Sequence, residues 1–251
     1  MFDHVTIRVS DRAASERFYS TVLLTLGFET MYSDARFAEW DDFSVTAAND
    51  DNPVTRGLHV GFGARSREQV DQFWRAGTEA GYRDDGAPGP RPPAPTAKGL
   101  VRGDHYAALL LDPDGNSAEA VHHGDIRPGR GNGVIDHLWI RVADVSAARD
   151  FYATLAEYTG YLLREDEPDF AHFLGAGGSF SLLGGTPTEH LHLAFPASDN
   201  ATVDAFHRVA IEAGYRDNGA PGERPQYHPG YYGAYVLDPD ANNIEVVNHN
   251  R

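Results

Sequence analysis

The two halves of this 251-residue chain restate one another, and a chain that repeats itself must build the same supersecondary unit more than once. Phe2-Asp3-His4-Val5 returns as Ile135-Asp136-His137-Leu138, Leu58-His59-Val60 as Leu191-His192-Leu193, and Ala80-Gly81-Tyr82-Arg83-Asp84 as Ala213-Gly214-Tyr215-Arg216-Asp217, all at an offset of 133 residues. The offset then slips to 126, where Leu111-Asp112-Pro113-Asp114 answers Leu237-Asp238-Pro239-Asp240, so the first half carries an insertion near Ala97-Lys98-Gly99-Leu100. Two domains, 1–123 and 134–251, are expected on either side of a linker, 124–133, whose glycines and Pro128 oppose regular structure.

Each half reads as strand, helix and strands, twice over. Val5, Ile7 and Val9 alternate with Thr6 and Arg8, the period of a half-buried strand. Ser10 or Asp11 then caps a helix that carries Ala14, Phe18 and Val22 at helical spacing and stops at Gly27. Val70, Phe73, Trp74 and Gly77 mark the helix of the second unit, which Gly81 ends. Short strands follow, closed by the turns Asp112-Pro113-Asp114-Gly115-Asn116 and Asp238-Pro239-Asp240-Ala241-Asn242. The pattern predicts an α+β protein of four βαβββ units in two tandem domains, with curved, mainly antiparallel sheets around concave pockets.

Composition narrows the partners. The absence of cysteine excludes disulfides and thiolate-bound zinc. A net charge of −16, with no Lys/Arg cluster to offset it, repels phosphate backbones, so a nucleic-acid partner is not expected, whereas a cationic small ligand is electrostatically welcome. No apolar run reaches the ~20 residues of a membrane span, and Met1 to Arg12 lacks a basic segment followed by an apolar one, so a cytoplasmic protein without a membrane partner is expected.

Three ligand-type residues recur at matched places: His4, His59 and Glu119, then His137, His192 and Glu245. Their wide spacing means that only the fold can assemble a site, and whether each site forms within a half or across halves stays open. Two imidazoles and a carboxylate occupy one face of an octahedral divalent ion and leave positions for substrate. Strand alternation puts Glu119, Val121 and His123 on one face, and likewise Glu245, Val247 and His249. The halves have diverged around the shared residues: Ser117 answers Asn243, and His105 answers Tyr231.

The strand-initial Asp-His, the Leu-His strand, and the closing Asp-Pro-Asp-Gly-Asn-x-x-Glu or Asp-Pro-Asp-Ala-Asn-x-x-Glu resemble the vicinal oxygen chelate superfamily. Its members include glyoxalase I, bleomycin-resistance proteins, fosfomycin-resistance thiol transferases and extradiol dioxygenases. The resemblance covers nearly the whole chain as two tandem domains. It implies that His4, His59, Glu119, His137, His192 and Glu245 are metal ligands, for Fe2+, Mn2+, Zn2+ or Ni2+. It also implies a fourth ligand, often a glutamate, on the last strand of the first unit in glyoxalase I. The matching stretches Phe43-Ser44-Val45-Thr46 and Phe180-Ser181-Leu182-Leu183 hold no carboxylate, so three-ligand dioxygenase-, lyase- or thiol-transferase-like members fit better. Extradiol dioxygenases commonly carry a tyrosine ten residues before the glutamate; Tyr235 stands there in the second half and Leu109 in the first.

Tyr235 and His249 are therefore the acid–base candidates. In the Gly/Pro-rich segment from Gly219 to Tyr232, Tyr227, His228 and Tyr232 are suited to capping a planar ligand and Arg224 to holding its anionic group. The expectation is a divalent-metal enzyme acting on a small oxygen-bearing organic molecule, as a monomer or a homodimer, with the second half the active one. The alternative is a metal-free protein of the bleomycin-resistance type that sequesters an antibiotic.

Overall fold

The computed structural model describes residues 1–91, 105–124 and 133–251; the insertion near Ala97 and linker residues 125–132 lie outside the described residues. Four units follow one another. The first comprises β1 (His4–Val9), α1 (Arg12–Leu24), β2 (Tyr32–Ser33), β3 (Phe37–Trp40) and β4 (Phe43–Ala47), and the second β5 (His59–Gly63), α2 (Arg67–Glu79), β6 (Arg83–Pro90), β7 (Tyr106–Leu111) and β8 (Ser117–His122). The third has β9 (Ile135–Val142), α3 (Val145–Thr154), a short α4 (Ala156–Thr159), β10 (Leu162–Glu167), β11 (Phe170–Gly175) and β12 (Gly178–Gly184). The fourth has β13 (His192–Pro196), α5 (Asn200–Glu212), β14 (Arg216–Glu223), β15 (Tyr232–Leu237) and β16 (Asn243–Asn248).

Local chemistry accounts for these boundaries. Asp11, Ser66, Asp144 and Asp199 each accept a hydrogen bond from the backbone N–H three residues on, which satisfies a donor that the first helical turn leaves free. Gly27 and Gly81 adopt positive φ just past α1 and α2, a conformation that a Cβ would penalise.

The strands form two eight-stranded mixed sheets that exchange units between the halves. One runs β14-β15-β16-β13-β1-β4-β3-β2 and joins the first unit to the fourth; the other runs β10-β11-β12-β9-β5-β8-β7-β6 and joins the third to the second. The seams are antiparallel, with Thr6 opposite His192 in one and Trp139 opposite His59 in the other. Within each unit the outer strands pair antiparallel and the first strand pairs parallel with the last.

One face of each sheet is core. Val5, Ile7, Val9, Val45 and Val60 are fully buried there with Phe18 and Phe73 of the helices. The alternating residues His4, Thr6 and Arg8 lie on the opposite, inner face, only partly covered. No helix of the described residues is long and apolar enough to cross a membrane.

The Asp-Pro-Asp turns hold the site-bearing strands. Asp112 Oδ1 accepts from the N–H groups of Asp114 and Asn116, its Oδ2 from the Tyr19 hydroxyl of α1 at 2.9 Å, and Asn116 Oδ1 accepts from Leu58 N–H. Asp238, Tyr152, Asn242 and Leu191 repeat the arrangement. Asn116 and Asn242 thus pin the residue before each strand histidine to the turn that precedes each glutamate.

Candidate metal centres

The exchange of units decides which ligand-type residues meet. His4 on β1, His192 on β13 and Glu245 on β16 converge in one sheet, and His59 on β5, Glu119 on β8 and His137 on β9 in the other. Each group therefore takes one histidine from the opposite half, so the centres form across halves.

Register explains the convergence. His4 and Glu245 flank Ala194 on the intervening strand, and His137 and Glu119 flank Gly61 in the same way. A small central residue leaves a hollow about two strand spacings wide, ~10 Å, into which the flanking side chains lean. His192 and His59 reach in from the neighbouring rung.

In the first group His4 Nε2 lies 3.0 Å from His192 Nε2, and Glu245 Oε2 lies 3.0 Å from His192 Nε2 and 3.5 Å from His4 Nε2. In the second, Glu119 Oε2 lies 2.6 Å from His59 Nε2 and 3.3 Å from His137 Nε2. Adjacent ligands of an octahedral ion at ~2.1 Å stand ~3 Å apart, so the donor atoms are spaced to share one ion. Three of the four outer ring nitrogens are already engaged. His4 Nδ1 is 2.8 Å from Asp3, His137 Nδ1 is 3.0 Å from Asp136, and His192 Nδ1 meets the Asn243 amide. The carboxylates accept from Nδ1 of His4 and His137 and so favour the tautomer that turns the Nε2 lone pair inward, whereas the Asn243 amide donates to Nδ1 of His192.

Charge in the groups follows from burial set against pairing. Burial pushes His4 and His137 down, but hydrogen bonds to Asp3 and Asp136 and the facing glutamates outweigh it; both are raised, His137 to about 10. His192 is lowered, by burial first and then by His4 and Arg8, against the pull of Glu245. Burial raises both glutamates, yet their histidine partners hold Glu119 well below and Glu245 below the usual carboxylate range.

The remaining sequence candidates scatter. Tyr235 stands opposite Glu245 on β15, and its buried hydroxyl makes no hydrogen bond of good geometry among the described residues; burial, and then the nearby Glu245, push it far above the usual phenol range. Arg224 stacks its guanidinium 5.4 Å from the Tyr235 ring and donates to Ala220 O at 2.7 Å. Tyr227 is largely exposed beside Tyr231. His228 and His249 stack on each other and share a 2.8 Å hydrogen bond, and His249 Nε2 reaches Asp3 Oδ2 at 2.9 Å. These two histidines thus back His4 through Asp3. Tyr232, expected to cap a ligand, faces the other way: strand alternation puts it on the helix side with Ala234 and Val236, where its hydroxyl donates to Asp204 of α5.

Several residues that sequence reasoning passed over line the groups. The Tyr231 hydroxyl donates to Glu245 Oε1 at 2.7 Å, and the matching His105 approaches Glu119 Oε1 at 3.4 Å. Glu39 on β3 lies opposite Ser44, which neighbours Thr6, and its charge acts on His4. A carboxylate is thus present near this group, although β4 itself holds none. Arg8, two residues beyond Thr6 on the inner face, donates to His190 O at 3.2 Å and forms no ion pair with a carboxylate among the described residues. The repeat motif signalled none of these, because each depends on which strands become neighbours.

Comparison with known proteins agrees with this architecture. Residues 1–120 match the family model described as the Glyoxalase/Bleomycin resistance protein/Dioxygenase superfamily. Glyoxalase I from Zea mays superposes with a TM-score of 0.68 at 17% identity, covering 99% of this chain and 92% of that one. A provisionally assigned dioxygenase from Bacillus subtilis subsp. subtilis str. 168 superposes with a TM-score of 0.63 at 14% identity, covering 100% and 85%. At such identities the likeness is one of fold. No curated protein matches the chain in sequence.

Proposed function

We propose that the chain, whose residues 1–120 match the Glyoxalase/Bleomycin resistance protein/Dioxygenase superfamily model, is a member of that family and a soluble, cytoplasmic, divalent-metal-dependent enzyme acting on a small oxygen-bearing molecule. The observation that carries this reading is the meeting of His4, His192 and Glu245 donor atoms beside Tyr235, which stands opposite Glu245 with a buried hydroxyl. A bound divalent ion would supply Lewis acidity toward vicinal substrate oxygens.

The protein's own groups do the rest. Asp3 and Asn243 orient the two imidazoles, and Tyr231 holds the outer oxygen of Glu245 so that Oε2 faces inward. Tyr235, held protonated by burial and Glu245, is placed to donate a hydrogen bond to charge developing on a substrate oxygen. Arg8, a half-buried cation with no carboxylate partner among the described residues, suits an anionic substituent, so local charge here runs against the chain's net −16. Because each centre already draws on both halves, a single chain is sufficient for activity.

The test is metal analysis of protein reconstituted with Fe(II), Mn(II), Zn(II) and Ni(II). Uptake of up to two equivalents, abolished by Glu245→Gln together with Glu119→Gln, is the expected result. No uptake would leave the sequestering, metal-free reading, which the His–Glu pairs, satisfied by each other, would then serve as structural polar clusters.

A further inference from the structure

The two inner faces are built on one plan and differ residue by residue. Where His192 has Thr6 across the seam, His59 has Trp139. One strand further out, Thr46 beside Arg8 is answered by Leu183 beside Arg141. On the other flank, Tyr235 opposite Glu245 is answered by Leu109 opposite Glu119. Three hydroxyl-bearing side chains in one face thus correspond to three apolar ones in the other.

Trp139 is the largest of these changes. Its ring stacks on His59 with centroids 4.9 Å apart and planes 21° from parallel, and it stays partly exposed. The central small residue differs in the same sense. The His137 ring lies where a Cβ on Gly61 would sit, so it settles closer to the sheet than a side chain beside Ala194 can. The His137 and Trp139 rings lie with centroids 6.0 Å apart and planes 46° from parallel.

We propose that the His59–Glu119–His137 centre takes a planar aromatic molecule bearing neighbouring oxygen donors, its ring seated against Trp139, while the His4–His192–Glu245 centre takes a polar, non-aromatic one. An indole half-covered by an imidazole offers a flat, polarisable surface whose stacking rewards a ring and gives an aliphatic chain of equal polarity little. The threonines and Tyr235 of the other face offer hydroxyls that a polar ligand would bond and that a ring would leave unpaired. The inference rests on the metal reading for the oxygens and on Trp139 alone for the ring.

The test compares salicylate with lactate, which share a hydroxyl group next to a carboxylate-bearing carbon framework and differ in the ring. In zinc-loaded Glu245→Gln, which keeps only the centre beside Trp139, calorimetry is expected to show salicylate binding about tenfold tighter than lactate. Adding Trp139→Leu should erase that preference with zinc uptake unchanged, and Trp139→Phe should keep it. In Glu119→Gln, which keeps only the other centre, lactate should bind tighter than salicylate, by about threefold or more, and a preference for salicylate there would overturn the inference. Equal affinities in Glu245→Gln, or a preference that survives Trp139→Leu, would overturn the inference. If neither centre takes zinc, the metal reading fails by itself. Salicylate quenching of Trp139 fluorescence in the zinc-free protein then decides the ring: quenching that Trp139→Phe removes supports it, and no quenching overturns it.

Discussion

The Nε2 atoms of His4 and His192 meet at 3.0 Å, with their rings stacked 5.0 Å apart, although the residues lie 188 positions apart in the chain. That contact is made by the antiparallel seam between β1 and β13, and the pseudo-equivalent seam between β5 and β9 brings His59 and His137 to 5.5 Å between ring centroids. Neither group can form without both halves.

Stoichiometry of metal uptake tests the crossing directly. His4→Ala with Glu245→Gln removes two ligands of one centre, and one zinc equivalent should remain. His4→Ala with Glu119→Gln disables both centres, and none should remain. If the halves were self-contained the two results would exchange, and elemental analysis of the two double variants distinguishes them.

Tyr235→Phe should separate chemistry from folding. The hydroxyl makes no hydrogen bond of good geometry among the described residues, so its loss should change stability by less than about 1 kcal/mol and leave zinc affinity intact. Once a substrate is identified, turnover should fall by about 10–1000-fold. Unchanged turnover would remove Tyr235 from the chemistry.

Gly61→Ala should remove one centre without touching the other. A Cβ at that position falls on the His137 ring, which must swing away from Glu119. We expect one zinc equivalent to be lost, with the second retained at the Ala194 centre. Full retention of two equivalents would show that His137 can relocate.

Asp42 predicts a pH dependence of stability. Its Oδ1 accepts from the N–H groups of Val134 and Ile135, and burial pushes its pKa up to about 7 from an ordinary value of 3.8. The folded state therefore holds a proton that the unfolded state releases, so stability should fall as pH rises from about 4 to 7, by on the order of a few kcal/mol. Asp42→Asn keeps an oxygen acceptor and should flatten that fall in chemical denaturation from pH 4 to 8. An unchanged slope would show that Asp42 titrates normally.

Much of the fold can be read along the chain. The caps Asp11 and Ser66, the stops Gly27 and Gly81, and the alternation of Val5, Ile7 and Val9 act over a few residues and need no partner from elsewhere. The six ligand-type residues were visible for a related reason: the repeat presents each motif twice, and Asn116 and Asn242 tie each glutamate strand to a histidine strand of the same half.

Local chemistry along the chain thus sets the units and the chemical types gathered on their strands. Tertiary structure alone decided which histidine joins which pair, because seams between units are long-range pairings that the local alternation of His4 or His137 cannot specify. It also decided that Tyr231 rather than Tyr232 meets Glu245, that Glu39 stands near His4, and that Trp139 covers His59. A side chain's neighbours across a sheet are set by strand order and register, and those follow from burying the helix-facing residues of distant units in one core.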